Sequence, residues 1–212
     1  MENERIPRFL HSLEKEEDPF LLKLREEAAA NGVPIVRRET ESFLRTVTAA
    51  KRPQRVLEIG TAIGYSALVM SEYAEHIDTV ENYAPRISQA KENFRKAGKE
   101  ETIRLLEGDA GPVLKQLLSA GSTYDLIFLD AAKGQYSIWL ENLVNLLSPS
   151  GLLIADNVLQ DGTVTESRFT VDRRDRTTHE RMREFLYRIK HDSRLESAVI
   201  PIGDGVSLSV RM

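Results

Sequence analysis

The stretch Arg55–Ser66, RVLEIGTAIGYS, constrains this chain more than any other. Val56-Leu57-Glu58-Ile59 is a short apolar run of the kind that forms a buried strand. It breaks at Gly60 into a turn that ends at Gly64, where a helix-like segment begins. Glycine takes positive φ and lets a ligand approach the main chain, and a helix start presents unpaired N–H groups to an anionic or polar ligand. A strand, a glycine turn and a helix N-terminus in succession form the architecture of a nucleotide site.

The spacing narrows the choice of nucleotide. A dinucleotide fingerprint is G-x-G-x-x-G, with pyrophosphate at the helix start. Only Gly60-x-x-x-Gly64 is present, which disfavours a nicotinamide-dependent oxidoreductase. Glu81 closes the next apolar run, Ile77-Asp78-Thr79-Val80-Glu81, about twenty residues on, where a carboxylate accepts hydrogen bonds from a ribose diol. The ribose signal is kept and the pyrophosphate signal is missing.

Strands and helices alternate from residue 55 onward. A helical pattern runs from Pro85-Arg86-Ile87 to Ala97-Gly98, with Ile87, Ala90, Phe94 and Ala97 on one face. A strand, Thr102 to Glu107, leads through Gly108-Asp109-Ala110 into a helix carrying Val113, Leu114, Leu117 and Leu118. Tyr124 to Asp130 is a buried strand, Ile138 to Leu147 a helix, Ser148 to Gly151 a turn, and Leu152 to Ala155 a strand ending at Asp156-Asn157. Ser197 to Met212 alternates as an antiparallel hairpin around Gly203-Asp204-Gly205, where Asp204 is expected to make the turn and could also border a pocket. Before residue 50 the chain reads as helices laid against this fold: Pro19 and Phe20 open one from Leu21 to Ala30, and Phe43, Leu44 and Val47 mark another. Arg37 and Arg38 between them are expected to be solvated.

Alternating strands and helices imply a mostly parallel, doubly wound sheet, with ligands beyond the carboxyl ends of the strands. Gly60, Glu81, Asp109, Asp130, Asp156 and Asn157 all fall on that rim. If the strands ending at Asp130 and Asp156 are neighbours, two carboxylates and an amide offer hard oxygen donors suited to Mg²⁺, Mn²⁺ or Ca²⁺. As isolated residues they serve equally well as polar caps at a solvent edge.

The 212 residues, 41% of them hydrophobic, suit one α/β domain spanning the whole chain. A net charge of -4 gives no global basic field to attract nucleic acid. With no cysteine there is no disulfide, thiolate metal site or cysteine nucleophile. The charged amino terminus lacks the apolar centre of a signal peptide, and no apolar run is long enough to cross a membrane, so the cytoplasm is the expected location.

FLDAAKGQY followed by IADNVL, together with LEIGTAIGYSAL and VEN, resembles the cation-dependent O-methyltransferases of the catechol and caffeoyl-CoA type, from about residue 33 to the end. The resemblance implies a Rossmann-like methyltransferase fold on S-adenosylmethionine (AdoMet): a doubly wound, mostly parallel seven-stranded sheet, a C-terminal antiparallel hairpin and N-terminal helices. It further implies metal ligands Asp130, Asp156 and Asn157, holding Mg²⁺ or Mn²⁺, and a catalytic Lys133. Val36, Glu58, Gly60, Tyr65, Ser66, Glu81, Asp109, Ala110 and Asp130 would contact AdoMet, with Glu81 on the ribose and Asp109 and Ala110 at the adenine. The family also suggests a homodimer through the N-terminal helices.

Within that family, LEIGTAIGYSA, DAAKGQY, DNVL and the closing IPIGDG are most similar to the bacterial tRNA 5-hydroxyuridine methyltransferases. That resemblance implies methylation of the 5-hydroxyl of the wobble uridine to 5-methoxyuridine, with the tRNA anticodon loop as partner. The 5-hydroxyl and the O4 carbonyl form a chelating pair like that of a catechol. Arg168, Arg173, Arg174, Arg176, Arg181, Arg183 and Arg188 could clamp an anticodon loop as a mobile basic insert, although the interspersed Glu166, Asp172, Asp175, Glu180 and Glu184 equally describe a solvated helix face. Two other readings stay open: an enzyme for small catechol-like phenols, its pocket closed by Tyr136, Trp139 and Phe169, and a non-catalytic AdoMet- or RNA-binding protein.

Overall fold

Strand β1 (Arg55–Ile59) lies inside a seven-stranded sheet of order β3-β2-β1-β4-β5-β7-β6. The structure, a computed structural model, describes residues 5–15 and 18–212; residues 1–4 and 16–17, part of the charged amino terminus, lie outside the described residues. Strands β2 (His76–Glu81), β3 (Ile103–Glu107), β4 (Tyr124–Leu129) and β5 (Leu147–Ala155) run parallel to β1 through the sheet, while β7 (Val206–Arg211) is antiparallel to both β5 and β6 (Leu195–Ile200). This is the doubly wound sheet with a terminal hairpin that the alternating pattern predicts.

Side chains alternate between two cores, as the two-residue period of a strand requires. From β1 and β4, Leu57, Ile59, Ile127 and Leu129 enter one core with Leu114, Leu140, Leu143, Met182 and Phe185. Val56, Leu126 and Phe128 enter the other with Leu24, Leu44, Leu68 and Phe94. Helices α6 (Ala110–Ser119), α7 (Tyr136–Leu146) and α8 (Arg176–His191) therefore cover one face, and α2 (Pro19–Ala30), α3 (Arg38–Lys51), α4 (Tyr65–Met70) and α5 (Ala84–Lys96) cover the other. Each fully buried Leu, Ile or Phe contributes roughly 1.5–3 kcal/mol to this arrangement. No described helix is long and apolar enough to cross a membrane.

Local signals set the element ends. Asp18 accepts hydrogen bonds from the Phe20 and Leu21 amides with Pro19 in the first turn, so α2 starts earlier than its apolar residues suggest. Ser148 to Gly151 do not form a free turn. Chain leaving α7 enters β5 directly, and the four residues are an irregularity within it, with Ser150 at φ 60° and a register shift against β4.

Registry aligns the carboxyl ends of the strands. Ile59 pairs with Val80 and Leu129, and Leu129 pairs with Ala155. The residues that follow, Gly60, Glu81, Asp130 and Asp156, therefore stand side by side. At Gly60 (φ 106°) a Cβ would lie 1.9 Å from the Asp130 carbonyl oxygen. The glycine there is required by the neighbouring strand end as well as by the turn.

Candidate functional site

A cavity of about 720 Å³ opens on that rim. Val36, Gly60, Tyr65, Ser66, Glu81, Asp109, Ala110, Asp130, Lys133, Asp156 and Asn157 all line it. Its size is that of a small-molecule site. A larger cleft, about 1680 Å³, runs between α1 (Arg5–Ser12) and α3, is bordered by Leu10, Leu13 and Phe43, and shares Arg37 with the rim cavity.

One expected cofactor contact, Glu58, lies behind the wall. Its side chain is 0% exposed and does not line the cavity. Ser66 Oγ and Thr79 Oγ1 each donate to it at 2.5 Å, and Thr79 is itself 2.5 Å from Thr61 Oγ1. Burial raises the Glu58 carboxyl from 4.5 to about 7, against the two hydroxyl donors. On this geometry Glu58 braces the glycine turn from below, because β1 points that side chain into the protein.

The carboxylates on the rim are held in different ways. Glu81 accepts the backbone N–H of Ala62 at 2.9 Å and those of Asn82 and Tyr83 at 3.0 Å, which aims it across the glycine turn. Asp109 caps α6 by accepting the Gly111 N–H at 2.9 Å and borders the cavity as well. Tyr65 donates its hydroxyl to Glu41, which also accepts Arg25 and Arg45, so α2, α3 and α4 are tied together at the pocket edge.

Asp130 Oδ1 accepts Lys133 Nζ at 2.8 Å. Lys133 also donates to Tyr136 Oη at 3.0 Å, and that phenol donates to the Leu129 carbonyl at 3.0 Å and accepts the Ala131 N–H at 3.3 Å. Tyr136 is fully buried, so it does not close a substrate pocket; it locks the loop after β4. Burial pulls the Lys133 ammonium down, but Tyr136 and Asp130 outweigh it and hold the group above the ordinary lysine value. Burial pushes the Tyr136 phenol up, so it is neutral near pH 7 and the decisive charge is that of Asp130. The lysine beside Asp130 is therefore held as an ammonium in this arrangement.

Strands β4 and β5 are neighbours, so Asp130 and Asp156 meet. Burial, and then the charge of Asp130, push Asp156 from 3.8 up to about 7. Its nearest side-chain donor is the Thr40 hydroxyl at 3.4 Å. Asn157, in the left-handed region at φ 57°, donates its amide to Asp204. Among the described residues no group of three or more His, Cys, Asp or Glu side chains could hold an ion, so a cation here needs the amide oxygen of Asn157 with the two carboxylates. Crowded carboxylates, hard oxygen donors and the absence of sulfur or imidazole in the set fit Mg²⁺ or Mn²⁺.

Several expectations sharpen or change. Asp204 borders the cavity and does more than make a turn. Arg37 is solvent-exposed as expected, yet it also lines the cavity and pairs with Asp161 at 2.8 Å and Asp204 at 3.5 Å, while the half-buried Arg38 pairs with Glu14 at 3.4 Å. Phe169 is 85% exposed and, like Tyr136, closes nothing; Trp139 does line the cavity. The arginine-rich segment is in good part structural: Arg181, Arg183 and Arg188 donate to the carbonyls of Gly134, Val164 and Ser137.

The O-methyltransferase family profile matches residues 11–212 of this sequence. The chain belongs to the O-methyltransferase family. Tapetum-specific methyltransferase 1 of Arabidopsis thaliana is 32% identical over 186 residues, covering 85% of this chain and 78% of that protein. A catechol O-methyltransferase of Niastella koreensis is 28% identical over 173 residues, covering 79% of this chain and 78% of that protein. Among solved structures, the SAH-bound methyltransferase PaMTH1 of Podospora anserina superposes with a TM-score of 0.88 at 25% identity, covering 100% of this chain and 97% of that one.

Proposed function

We propose that this O-methyltransferase transfers a methyl group from AdoMet to the 5-hydroxyl of 5-hydroxyuridine at the tRNA wobble position, with Mg²⁺ or Mn²⁺, giving 5-methoxyuridine. The observation that carries the reading is the meeting of Asp130, Lys133, Asp156 and Asn157 beside the pocket of Gly60 and Glu81. Glu81, fixed by backbone amides, accepts from the ribose hydroxyls, and Asp109 and Ala110 border the adenine end. Val36, Tyr65 and Ser66 line the remaining wall.

Asp130, Asp156 and Asn157 would hold the cation, which would supply Lewis acidity at the hydroxyl and a template for the neighbouring oxygen. Lys133, in its neutral form, takes the hydroxyl proton; the S–CH₃ bond breaks as the O–CH₃ bond forms. Tyr136 keeps the lysine amine at the rim. SAH, which the PaMTH1 structure carries, is what AdoMet becomes on losing that methyl.

For tRNA the support is the resemblance in DAAKGQY, DNVL and IPIGDG, together with exposed Phe169, Arg168 and Arg174 on the segment before α8. Exposed aromatic and guanidinium groups stack on unpaired bases and contact phosphate. The naming of a relative as a catechol O-methyltransferase favours a second reading, a small catechol-like phenol. A homodimer through the N-terminal helices is part of the proposal, supported by exposed Ile6, Phe9, Leu10 and Leu13 in and just after α1.

Mass spectrometry of nucleosides from 5-hydroxyuridine-bearing tRNA, incubated with the protein and AdoMet with and without EDTA, tests the reading. A gain of one methyl at that uridine, lost in EDTA, is expected. No gain on tRNA, with a catechol methylated in parallel, would move the substrate to the second reading.

A further inference from the structure

We propose that Asp204 is a positioning residue for Asn157: its carboxylate turns the amide so that the nitrogen is engaged and Oδ1 is left for the cavity shared with Asp130 and Asp156. The inference rests on the cation reading above and concerns how this chain prepares that seat.

A side-chain amide has an accepting end and a donating end, which differ little in shape. An ionised carboxylate only accepts. Asn157 Nδ2 donates to Asp204 Oδ2, and in the reversed orientation two acceptors would face each other in a partly buried place. A hard cation binds the amide through oxygen. The neighbour of Asn157 therefore decides whether the ligand is presented, and asparagine alone does not.

The placement of Asp204 is fixed by main chain. The Val158 N–H donates to the Gly205 carbonyl at 2.9 Å, and the Leu159 and Gln160 N–H groups donate to the Asp204 carbonyl at 2.9 and 3.1 Å. A Cβ at Gly205 would meet the Leu159 backbone nitrogen at 2.7 Å, so the β6–β7 turn sits directly on the segment that follows β5. None of these contacts involves the Asp204 side chain, which is 9% exposed. Arg37 stands 3.5 Å from Asp204 Oδ2 and places positive charge beside the carboxylate. The carboxylate thus has a local task that the fold itself does not require.

The experiment titrates Mn²⁺ into the full chain without AdoMet or substrate and follows the signal of free Mn²⁺ by electron paramagnetic resonance. Asp204→Ala is expected to weaken Mn²⁺ binding about 10–100-fold, the usual effect of losing a group that orients a metal ligand. Asp204→Asn, which can still offer an oxygen to the Asn157 N–H, is expected to retain most of the affinity. AdoMet affinity and thermal midpoint serve as controls for the fold.

In Asn157→Asp both ends of the ligand are oxygen and orientation ceases to matter, so adding Asp204→Ala in that background is expected to leave Mn²⁺ affinity unchanged or tighter. The same loss in both backgrounds, or none in the first, overturns the proposal. Should Asp204→Ala fail to fold, Asp204→Leu fills the space and accepts nothing, and the cycle is read with it. Wild-type protein that binds no Mn²⁺ would remove the cation reading and this inference with it, whereas failure of the inference alone appears only in the variants.

Discussion

Replacing Glu58 by glutamine is expected to make the protein more stable at pH 8 and to change little at pH 5. The carboxyl is fully buried, and folding moves its half-ionisation from 4.5 to about 7. The folded state therefore holds the proton more tightly than the unfolded chain, and stability falls as pH rises through this range. Below about 4.5 the group is protonated in both states and costs nothing by this route. Above about 7 the cost is complete, about 3 kcal/mol for a displacement of this size. Glutamine keeps the shape and cannot ionise. It offers one acceptor and one donor to Ser66 and Thr79, whose hydroxyls can reverse, so the hydrogen bonds change by about 1 kcal/mol or less. The expected gain is then about 2–3 kcal/mol at pH 8, or roughly 4–10 °C in the thermal midpoint of a chain this long. Urea unfolding followed by circular dichroism at both pH values, in EDTA, measures it. A stability difference between the two proteins that is the same at pH 5 and pH 8 would refute the claim that Glu58 titrates inside the fold.

Lys133→Met is expected to lower single-turnover methyl transfer by at least about a hundred-fold, the scale of a lost proton acceptor, while calorimetric AdoMet affinity is kept. Wild-type turnover in that variant would remove lysine from the proposed mechanism. Tyr136→Phe strips an acceptor from the Ala131 N–H and from Lys133 in a buried place and is expected to cost about 1–3 kcal/mol in urea unfolding; no loss would mean that the phenol hub is dispensable. Gly60→Ala brings a methyl to 1.9 Å of the Asp130 carbonyl oxygen and is expected to abolish AdoMet binding or soluble expression. A well-folded Gly60→Ala protein with unchanged affinity would contradict the close approach of β1 and β4.

The sheet was legible because its strands are short apolar runs that end in polar residues, and that pattern is local. Glu81, Asp130 and Asp156 declared themselves as strand ends, and parallel registry then brought them together without further information. Three features resisted. Glu58 sits in the same motif as Gly60, but strand alternation turns its side chain away from the cavity, and the resemblance assigned a contact by position alone. Asp204 lies 47 residues from Asn157, so their pairing has no local signature. Arg181, Arg183 and Arg188 look in sequence like a basic patch, yet long flexible cations near orphan carbonyls find those carbonyls first, and only the folded backbone shows where the carbonyls are. Tyr136 was singled out only as a pocket wall, yet its contact with Lys133 could have been found: it stands three residues after Lys133 in a helical turn, a spacing at which side chains meet.

The rim also explains why a cation is read at one place on it. Parallel strands that end in acids concentrate negative charge, and each acid needs a compensating group. Backbone amides serve Glu81, the start of α6 serves Asp109, Lys133 serves Asp130 and Arg37 serves Asp204. Asp156 has the Asn157 N–H, a hydroxyl at 3.4 Å and only the more distant charge of Lys133, which chiefly serves Asp130. Burial beside Asp130 then holds its carboxyl up at about 7. A divalent ion there would relieve the repulsion between the two aspartates and draw Asp130 away from Lys133, freeing the amine to act as a base. One charge thus couples the cation seat to the proton acceptor: in a titration of the wild-type protein, Mn²⁺ is expected to lower the pKa of the Lys133 amine, measured by its reaction with an amine-selective reagent across pH. A lysine whose reactivity is the same with and without Mn²⁺ would separate the two functions and leave the base to be sought elsewhere on the rim.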